Sequence, residues 1–174
     1  QSVLDLCRAS DAKIVTKGKS MISEEIALNA ALTKAGITPV ETDLGEYIIQ
    51  LRDEAPSHII APAVHLNASQ VESDFRRVHT HLPPERTLDE PVQLLTEARQ
   101  VLRDRFLAAD IGITGANFLV AETGSSIIVT NEGNGDLTQT LPKTHIVIAS
   151  IEKLVPTLDD VSQILRVLAR SATG

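Results

Sequence analysis

The sequence predicts an α/β fold, in which a sheet is covered by helices and some strands of the C-terminal half are antiparallel. In the first part of the chain, short apolar runs alternate with amphipathic stretches, as strands and helices do around a parallel sheet. After Asp110, aliphatic runs follow one another across glycine-rich turns, which is typical of antiparallel strands. We expect a single domain over residues 1–174, because a chain of this length buries a substantial core.

Helices and strands alternate through residues 2–61. Amphipathic spacing predicts each helix, and a short apolar run predicts each strand. Ser23, Glu24 and Glu25 supply a capping hydroxyl and two carboxylates to the second helix, and Gly36 ends it. The predicted helices cover residues 2–9, 23–35 and 47–53, and the predicted strands cover residues 12–16, 37–41 and 57–61.

Three further helices have start signals in the sequence. Asn67 caps one, Pro91 begins a longer one, and Thr157 with Asp160 forms a capping-box-like start to the last. Between the first two, residues 82–90 form a polar, proline-bearing connection. The predicted strands of the C-terminal half cover residues 118–121, 126–129 and 146–149.

Composition excludes several classes of partner. The chain has 16 basic and 23 acidic residues, a net charge of −7, which disfavours nucleic acids and anionic membranes. No run approaches the roughly 20 apolar residues of a membrane span, and no signal-like sequence opens the chain, so we expect a cytoplasmic protein. The one cysteine, Cys7, can form no internal disulfide and cannot supply the thiolates of an iron–sulfur cluster. His79 and His81 do not have the spacing of a zinc site on a helix, so no metal is expected.

A first candidate binding segment contains Lys17, Lys19 and Ser20, between a predicted strand and a predicted helix. Two ammonium groups and the N–H groups of a helix start would bind a carboxylate or a phosphate. The segment lacks the spacing of a Walker P-loop. A solvated basic turn that leads into a helix cap explains the same residues, so both interpretations stay open.

A second candidate segment ends an apolar strand at Glu122, beside a tight turn. A carboxylate held against apolar neighbours has a raised proton affinity and can act as a base or a nucleophile. The alternative is a hairpin turn in which Glu122 accepts hydrogen bonds from backbone donors. The candidates here are Glu122 as the catalytic group and Thr114, Gly115, Asn117, Thr123, Gly124 and Ser125 as ligand-binding residues.

A third candidate segment, N-E-G-N-G, follows the next predicted strand. Its two glycines permit positive φ, and its polar side chains can face a ligand, although a turn alone also explains the pattern. Two histidines near strand ends are either ligand-binding or core residues, and we expect one of them, His145, to face the sheet edge that Glu122 faces. The candidates are Asn131, Glu132, Gly133, Asn134, His65 and His145.

Taken together, the chain resembles the LUD domain of lactate-utilization proteins in four motifs: K-G-K-S-M-I-S-E-E, G-I-T-G-A-N-F-L-V-A-E-T-G-S, N-E-G-N-G and L-P-K-T-H. Their order and spacing match, and the resemblance covers nearly the whole chain. It is closest to the bacterial iron–sulfur subunit (LutB-like) type. The resemblance implies a NagB/RpiA/CoA-transferase-like fold, whose members bind ligands at loops that follow the strands of an α/β sheet.

The same resemblance implies a subunit domain of a complex that oxidises L-lactate to pyruvate. On this expectation the chain binds a small anionic metabolite near Lys17, Lys19, Ser20, Glu122 and Asn131, and works with other lactate-utilization subunits in electron transport. The cysteine motifs of the iron–sulfur subunit type are absent from this sequence. We therefore expect the clusters in the full-length protein, no cofactor on this chain, and an excised domain.

Two other functions stay open at this point. In CoA transferases of the wider fold group, a catalytic glutamate precedes a small-residue turn, and Glu122 in A-E-T-G-S matches that position. An acyl transferase or hydrolase would use Glu122 to attack the acyl group and residues 131–135 to stabilise the oxyanion. A non-catalytic assembly module would instead use the glycine loops to dock another subunit, because a shared fold does not fix the chemistry.

Overall fold

A computed structural model describes residues 1–58 and 61–173. Within these residues the helices are α1 (Ser2–Ala9), α2 (Met21–Glu25), α3 (Leu28–Lys34), α4 (Leu44–Arg52), α5 (Ala68–Val78), α6 (Pro91–Ala108), α7 (Asn134–Thr140) and α8 (Leu158–Thr173). The strands are β1 (Ile14–Lys17), β2 (Thr38–Glu41), β3 (Ile111–Thr114), β4 (Phe118–Val120), β5 (Ser125–Ile127), β6 (Thr144–Val147) and β7 (Leu154–Val155), and Ile151–Lys153 forms a 3₁₀ turn.

Four parallel strands form the central sheet, in the order β2-β1-β3-β6. Val15 of β1 lies beside Pro39 on one side and Ile111 on the other, and Ile113 lies beside Ile146. β-branched residues suit these strands because both faces of the sheet are covered. The predicted α/β architecture, with a sheet between helices, is confirmed.

Each face of the central sheet packs against its own set of helices. On one face, Val40 belongs to a buried cluster with Phe75 of α5 and Leu102 of α6. On the other face, β1 and β3 pack against Cys7 of α1 and Leu32 of α3. The sheet is therefore the middle of three layers, and its carboxyl edge stays open to the loops that follow the strands.

A second, smaller sheet has the order β5-β4-β7. Strands β4 and β5 are antiparallel, whereas β4 and β7 are parallel. Phe118, Val120 and Val155 pack with Val161 of α8. The prediction of antiparallel strands in the C-terminal half is confirmed. None of the described helices combines the length and the apolar character needed to cross a membrane.

The predicted start signals of three helices are confirmed. Asn67 caps α5 in a capping box with Gln70, and Pro91 occupies the first turn of α6. Thr157 and Asp160 exchange hydrogen bonds at the start of α8, where the Thr157 hydroxyl donates to Oδ2 of Asp160 at 2.7 Å. These local signals are sufficient because each cap is completed by side chains no more than three residues away.

The single helix predicted from Ser23 is wrong, since two helices, α2 and α3, occupy that segment. Ala27 has a φ of 50° and separates them. In an unbroken helix, Glu24 and Leu28 would share a face. The break lets Glu24 reach a buried lysine while Leu28 packs in the core. The cap of α2 is Ser20 rather than Ser23, because Oγ of Ser20 accepts the backbone N–H of Ser23.

Three elements, β3, β7 and α7, were not among the predicted ones. Helix α7 lies so close to β3 that a Cβ on Gly112 would be 1.8 Å from the carbonyl oxygen of Thr138. The third predicted strand, residues 57–61, includes positions that lie outside the described residues.

Candidate functional site

The carboxyl edge of the central sheet brings two of the predicted binding segments together. Lys19 and Ser20 follow β1, and Gly115 follows β3. The N–H of Gly18 donates to the carbonyl of Ile113 at 2.8 Å, so the two strand ends stay in register. A Cβ on Gly115 would lie 3.3 Å from Oγ of Ser20. The loops after β1 and β3 therefore lie close together at this edge, and a side chain at position 115 would crowd Ser20.

Lys17 does not face solvent as an anion-binding lysine would. It is fully buried, and its Nζ atom contacts Oγ of Ser23 at 2.9 Å, Oε1 of Glu24 at 2.7 Å and Oε1 of Glu41 at 2.8 Å. Burial acts to lower the pKa of Lys17, but Glu41 and Glu24 more than offset it and hold the pKa above its ordinary value. All three ammonium donors are used within the protein, so this geometry does not support Lys17 as a ligand for an anion, and that role stays a prediction.

Lys19 and Ser20 remain at the carboxyl edge. The side chain of Lys19 is 31% exposed, and its Nζ lies 3.9 Å from Oε1 of Glu46. Ser20 is half-buried and uses Oγ and its carbonyl to start α2. The predicted anion site therefore has one partly exposed ammonium group rather than two.

Thr114 and His145 meet at the same edge. Thr114 is buried at the end of β3, and its Oγ1 lies 2.8 Å from Nε2 of His145. Burial lowers the pKa of His145, so its ring is kept neutral near pH 7. The alternative of a core histidine accounts for this contact, and a ligand-binding role for His145 stays a prediction.

Three glutamates lie around Lys17 and Lys19 at this edge, and the sequence reasoning missed them as a group. Glu41 ends β2, Glu46 lies in α4 and Glu24 lies in α2. Burial first, and then the charges of Glu41, Glu24 and Asp43, raise the pKa of Glu46 to about 7. Burial likewise raises the pKa of Glu41, in spite of its ion pair with Lys17. The sequence did contain one signal for this group, because Glu41 is a charged residue at the end of an apolar strand.

Glu122 lies on the other sheet, in the turn that joins β4 and β5. It is exposed, and its Oε1 accepts the backbone N–H of Leu158 at 2.8 Å, at the start of α8. The expectation that it lies against apolar neighbours is wrong, because the hydrogen bond holds it outward as a helix cap. It is also on a different sheet from His145, so the expectation of a shared edge is wrong too. A catalytic role for Glu122 stays a prediction.

The neighbours of Glu122 also make local hydrogen bonds. Oγ1 of Thr123 donates to Oγ of Ser125 at 2.9 Å, and Gly124 has a φ of 67°. Oδ1 of Asn117 accepts the N–H of Val129 at 2.8 Å. These contacts form a tight turn between β4 and β5, and they support the interpretation of this segment as a hairpin turn.

The remaining candidates lie in two further places. Asn131 and Glu132 are exposed in the loop before α7, Gly133 is the N-cap of α7 with a φ of 78°, and Asn134 begins the helix. His65 is exposed, with Nδ1 at 2.8 Å from Oγ of Ser57 and Nε2 at 3.1 Å from Oε2 of Glu54. The structure thus distributes the predicted residues over several loops rather than one pocket.

A buried polar network crosses the helical layer of α4, α5 and α6. The Tyr47 hydroxyl lies 2.8 Å from Nε2 of His79, and Nδ1 of His79 lies 2.8 Å from Oε1 of Glu97. Glu97 also accepts two hydrogen bonds from the Arg86 guanidinium. Burial acts to raise the pKa of Glu97, but Arg86 and His79 hold it below its ordinary value. The network joins the loop after α5 to α4 and α6.

The described residues do not fit a metal ion or an iron–sulfur cluster. No group of three or more histidine, cysteine or acidic side chains among them is arranged to hold a metal. Cys7 is buried in the core beneath α1, where burial raises the pKa of its thiol. A cluster needs several thiolates, so this part of the chain cannot ligate one alone.

Two relatives named lactate utilization protein B match nearly the whole chain. The sequence is 46% identical over 173 residues to lactate utilization protein B of Lysinibacillus sphaericus (strain C3-41), covering 99% of this chain and 36% of that protein. It is 47% identical over 173 residues to lactate utilization protein B of Bacillus subtilis (strain 168), covering 99% and 35%. The chain thus spans about a third of the length of these relatives. No solved structure gives a significant match.

The family assignment rests on the length of the match as well as on these identities. The sequence matches the LUD domain family over residues 3–174, which includes both sheets, helices α2 to α8 and all of α1 except Ser2. The resemblance in the four motifs is therefore confirmed at the level of the family. The chain belongs to the LUD domain family.

Proposed function

We propose that this chain serves lactate utilization, as a domain of a multi-subunit system that oxidises L-lactate to pyruvate. The observation that carries the proposal is the identity of 46% over 173 residues to a protein named lactate utilization protein B. Because the chain covers about a third of that relative, the oxidation itself is proposed for the whole assembly and not for these residues alone.

The carboxyl edge of the central sheet is the proposed binding place for the carboxylate of lactate or pyruvate. Lys19 supplies a partly exposed ammonium group there, and a cavity of about 320 Å³ is lined by Lys19, Ser20 and Glu46 among other residues. Ligands of open α/β sheets bind at the carboxyl ends of the strands, which supports this location. With Lys17 neutralised by Glu24 and Glu41, the proposed anion site rests on Lys19.

The iron–sulfur clusters of the proposed system would lie outside these residues, since Cys7 is the only cysteine in the sequence. Such clusters would supply one-electron transfer. The partners are the other lactate-utilization subunits. Exposed apolar side chains near α8 support a docking role, among them Ile151 at 86% and Val167 at 66% exposure.

A genetic experiment tests the proposed role. The gene for the polypeptide that carries this chain is deleted in its host, and growth is followed on L-lactate and on glucose. We expect growth on L-lactate to be lost, growth on glucose to be unchanged, and the intact gene to restore growth on L-lactate. Undiminished growth on L-lactate in the deletion strain would contradict the proposal.

A pair of lysine variants then tests the binding place in the same strain. Lys19→Gln removes the ammonium at the carboxyl edge, whereas Lys13→Gln removes an exposed ammonium beyond the opposite end of β1. We expect slower growth on L-lactate with Lys19→Gln and normal growth with Lys13→Gln. Equal growth of the two variants would assign the binding place elsewhere.

A further inference from the structure

Glu46 is a nearly buried carboxyl group in the lining of the cavity beside Lys19. It lies in the first turn of α4, and its side chain is only 8% exposed. The cavity of about 320 Å³ has Glu46, Lys19 and Ser20 in its lining. Glu46 also lines a cavity of about 740 Å³ beside the edge strand β2. The carboxyl group therefore lies at the place where a lactate or pyruvate carboxylate is proposed to bind.

The side-chain oxygens of Glu46 accept no hydrogen bond from the described residues. The Nζ atom of Lys19 lies 3.9 Å from Oε1, which is beyond hydrogen-bonding distance. In the described part of the chain, the fully enclosed side-chain atoms that lack a partner belong to Thr16, Asn29, Glu41 and Ser150. The Glu46 oxygens are not among these atoms, so they keep some accessible area. A molecule bound in the cavity can therefore contact them.

Charged groups from several elements surround Glu46, and most of them are negative. One cation and three carboxylates act on it directly, namely Lys19 after β1, Glu24 of α2, Glu41 of β2 and Asp43 at the N-cap of α4. The two cavities are also lined by Glu25, His58, Lys34, Asp53 and Glu54. Burial first, and then the charges of Glu41 and Glu24, raise the pKa of Glu46 to about 7. Both the neutral and the ionised form of Glu46 are therefore present near neutral pH.

A carboxylate that binds beside Lys19 adds one more negative charge next to Glu46. Two ionised carboxylates at close distance repel each other, so the bound anion favours the protonated form of Glu46. In that form the Glu46 hydroxyl is a donor, and it can make a charge-assisted hydrogen bond to an oxygen of the anion. Anion and proton then strengthen each other's binding by the same factor.

We propose that the site at Lys19 binds a carboxylate together with one proton, and that Glu46 holds this proton and donates a hydrogen bond to the bound anion. Glu46 has this role only if a carboxylate binds at Lys19, so the inference rests on the proposed function. The proton comes from solvent and cancels the charge of the anion, so the net charge of the site does not change on binding. Glu46 is then a ligand-binding residue in its neutral form.

Isothermal titration calorimetry with L-lactate tests this coupling in the wild-type protein. Lactate is ionised at both about pH 6 and about pH 8. At each pH, two buffers that contain no carboxylate or phosphate and differ in ionisation enthalpy give the Kd and the number of protons taken up. Between these pH values the protonated fraction of Glu46 falls about tenfold, so we expect a Kd about tenfold higher at pH 8. About one proton should be taken up per lactate at pH 8, and far less at pH 6, where most Glu46 is already protonated.

Three variants make the test specific to Glu46. Glu46→Gln keeps the shape of the side chain and a donor but cannot titrate, so its Kd should be the same at both pH values, without proton uptake. Glu25→Gln removes the same charge from an exposed position in the lining of the same cavity, and His58→Gln removes the histidine of that lining. Both controls should keep the tenfold pH dependence and the proton uptake.

The possible outcomes separate this inference from the proposed function. Lactate binding that is independent of pH in the wild type would overturn the proton coupling and leave the binding place intact. Proton uptake that persists in Glu46→Gln, or that is lost in His58→Gln, would also overturn it, because the proton would then lie on another group. Absence of lactate binding by the wild type at both pH values would overturn the proposed binding place and the proton coupling together.

Discussion

Glu46 shows how one buried carboxyl group couples the stability of this protein to pH. Its pKa in the folded state is raised to about 7 from an ordinary value of 4.5. The stability that protonation provides is complete below the unfolded pKa and is lost as the pH rises through about 7. A shift of this size corresponds to on the order of 3 kcal/mol. At alkaline pH, where Glu46 is ionised, its burial therefore lowers the free energy of unfolding.

Replacing Glu46 with Gln should remove that cost. We expect Glu46→Gln to increase the free energy of unfolding relative to wild type by up to about 3 kcal/mol near pH 8, and by little near pH 5. Urea unfolding followed by far-UV circular dichroism at the two pH values measures the difference. Glu85→Gln, which is exposed, should show no such pH-dependent gain. A lower stability of Glu46→Gln near pH 8 would show that its pairing with Lys19 outweighs its burial.

Glu97 lies at the centre of the buried network of Tyr47, His79 and Arg86. Glu97→Gln should lower the free energy of unfolding by roughly 3 kcal/mol, because the Arg86 guanidinium then loses its buried counter-charge. The same replacement at Glu72, which pairs with Arg76 near the surface of α5, should cost less than about 0.5 kcal/mol. Chemical denaturation of both variants gives the comparison. Equal losses would mean that the network contributes no more than a surface pair.

Lys17 marks the limit of prediction from the sequence at the scale of residues. Lys19 and Ser20 were correctly placed after a strand, because apolar runs and helix caps are local signals, whereas Lys17 is the last residue of β1. Of its two neutralising partners, Glu41 is 24 positions away and is brought close only by the pairing of β1 with β2. A local pattern thus located the loop but not the burial of its first lysine.

At the scale of elements, the contact of α7 with β3 depends on Gly112. A Cβ at this position would lie 1.8 Å from the Thr138 carbonyl oxygen, which is backbone and cannot rotate away. We expect Gly112→Ala to lower the free energy of unfolding by about 3 kcal/mol or more, because α7 must move off the sheet. In Gly18→Ala the new methyl would lie 3.6 Å from Cγ2 of Thr114, an ordinary contact, so a loss under about 1 kcal/mol is expected. Thermal unfolding of the two variants checks this, and a Gly112→Ala protein as stable as Gly18→Ala would refute it.

The elements that sequence reasoning missed share a physical cause. Strands β3 and β7 are four and two residues long. Strand β3 contains Gly112, which is needed because α7 packs closely against it. Helix α7 begins inside N-E-G-N-G, which as a local pattern indicates a turn. By contrast, α5, α6 and α8 were predicted with their start signals, because the residues that form a cap and an amphipathic face are close together in the sequence. Short elements that are stabilised by distant contacts leave little local trace.

At the scale of the whole molecule, the order of the strands decides where chemistry can occur. The parallel order β2-β1-β3-β6 gathers the loops after β1 and β3 at one edge. The same order puts Glu122 on the second sheet, away from this edge. The candidate residues therefore divide into several groups, among them one at the carboxyl edge and one in the turn around Glu122, which the sequence had joined into one site. Topology rather than motif composition makes the division.

The acidic side chains of this protein are concentrated where they affect binding. Glu24 and Glu46 border both the cavity beside β2 and the loop that carries Lys19. An anion bound at Lys19 would therefore meet repulsion from both carboxylates, which the ammonium group of Lys19 must offset.

The most direct measurement is a titration of the ¹⁵N-labelled wild type, Lys19→Gln and Lys13→Gln proteins with L-lactate and pyruvate. The proposed function predicts saturable shifts of the amide signals of Ser20, Thr114 and Gly115 in the wild type and in Lys13→Gln, and a loss of affinity of about tenfold in Lys19→Gln. Shifts confined to the turn around Glu122, or none with either acid, would contradict a lactate site at the carboxyl edge of this LUD domain.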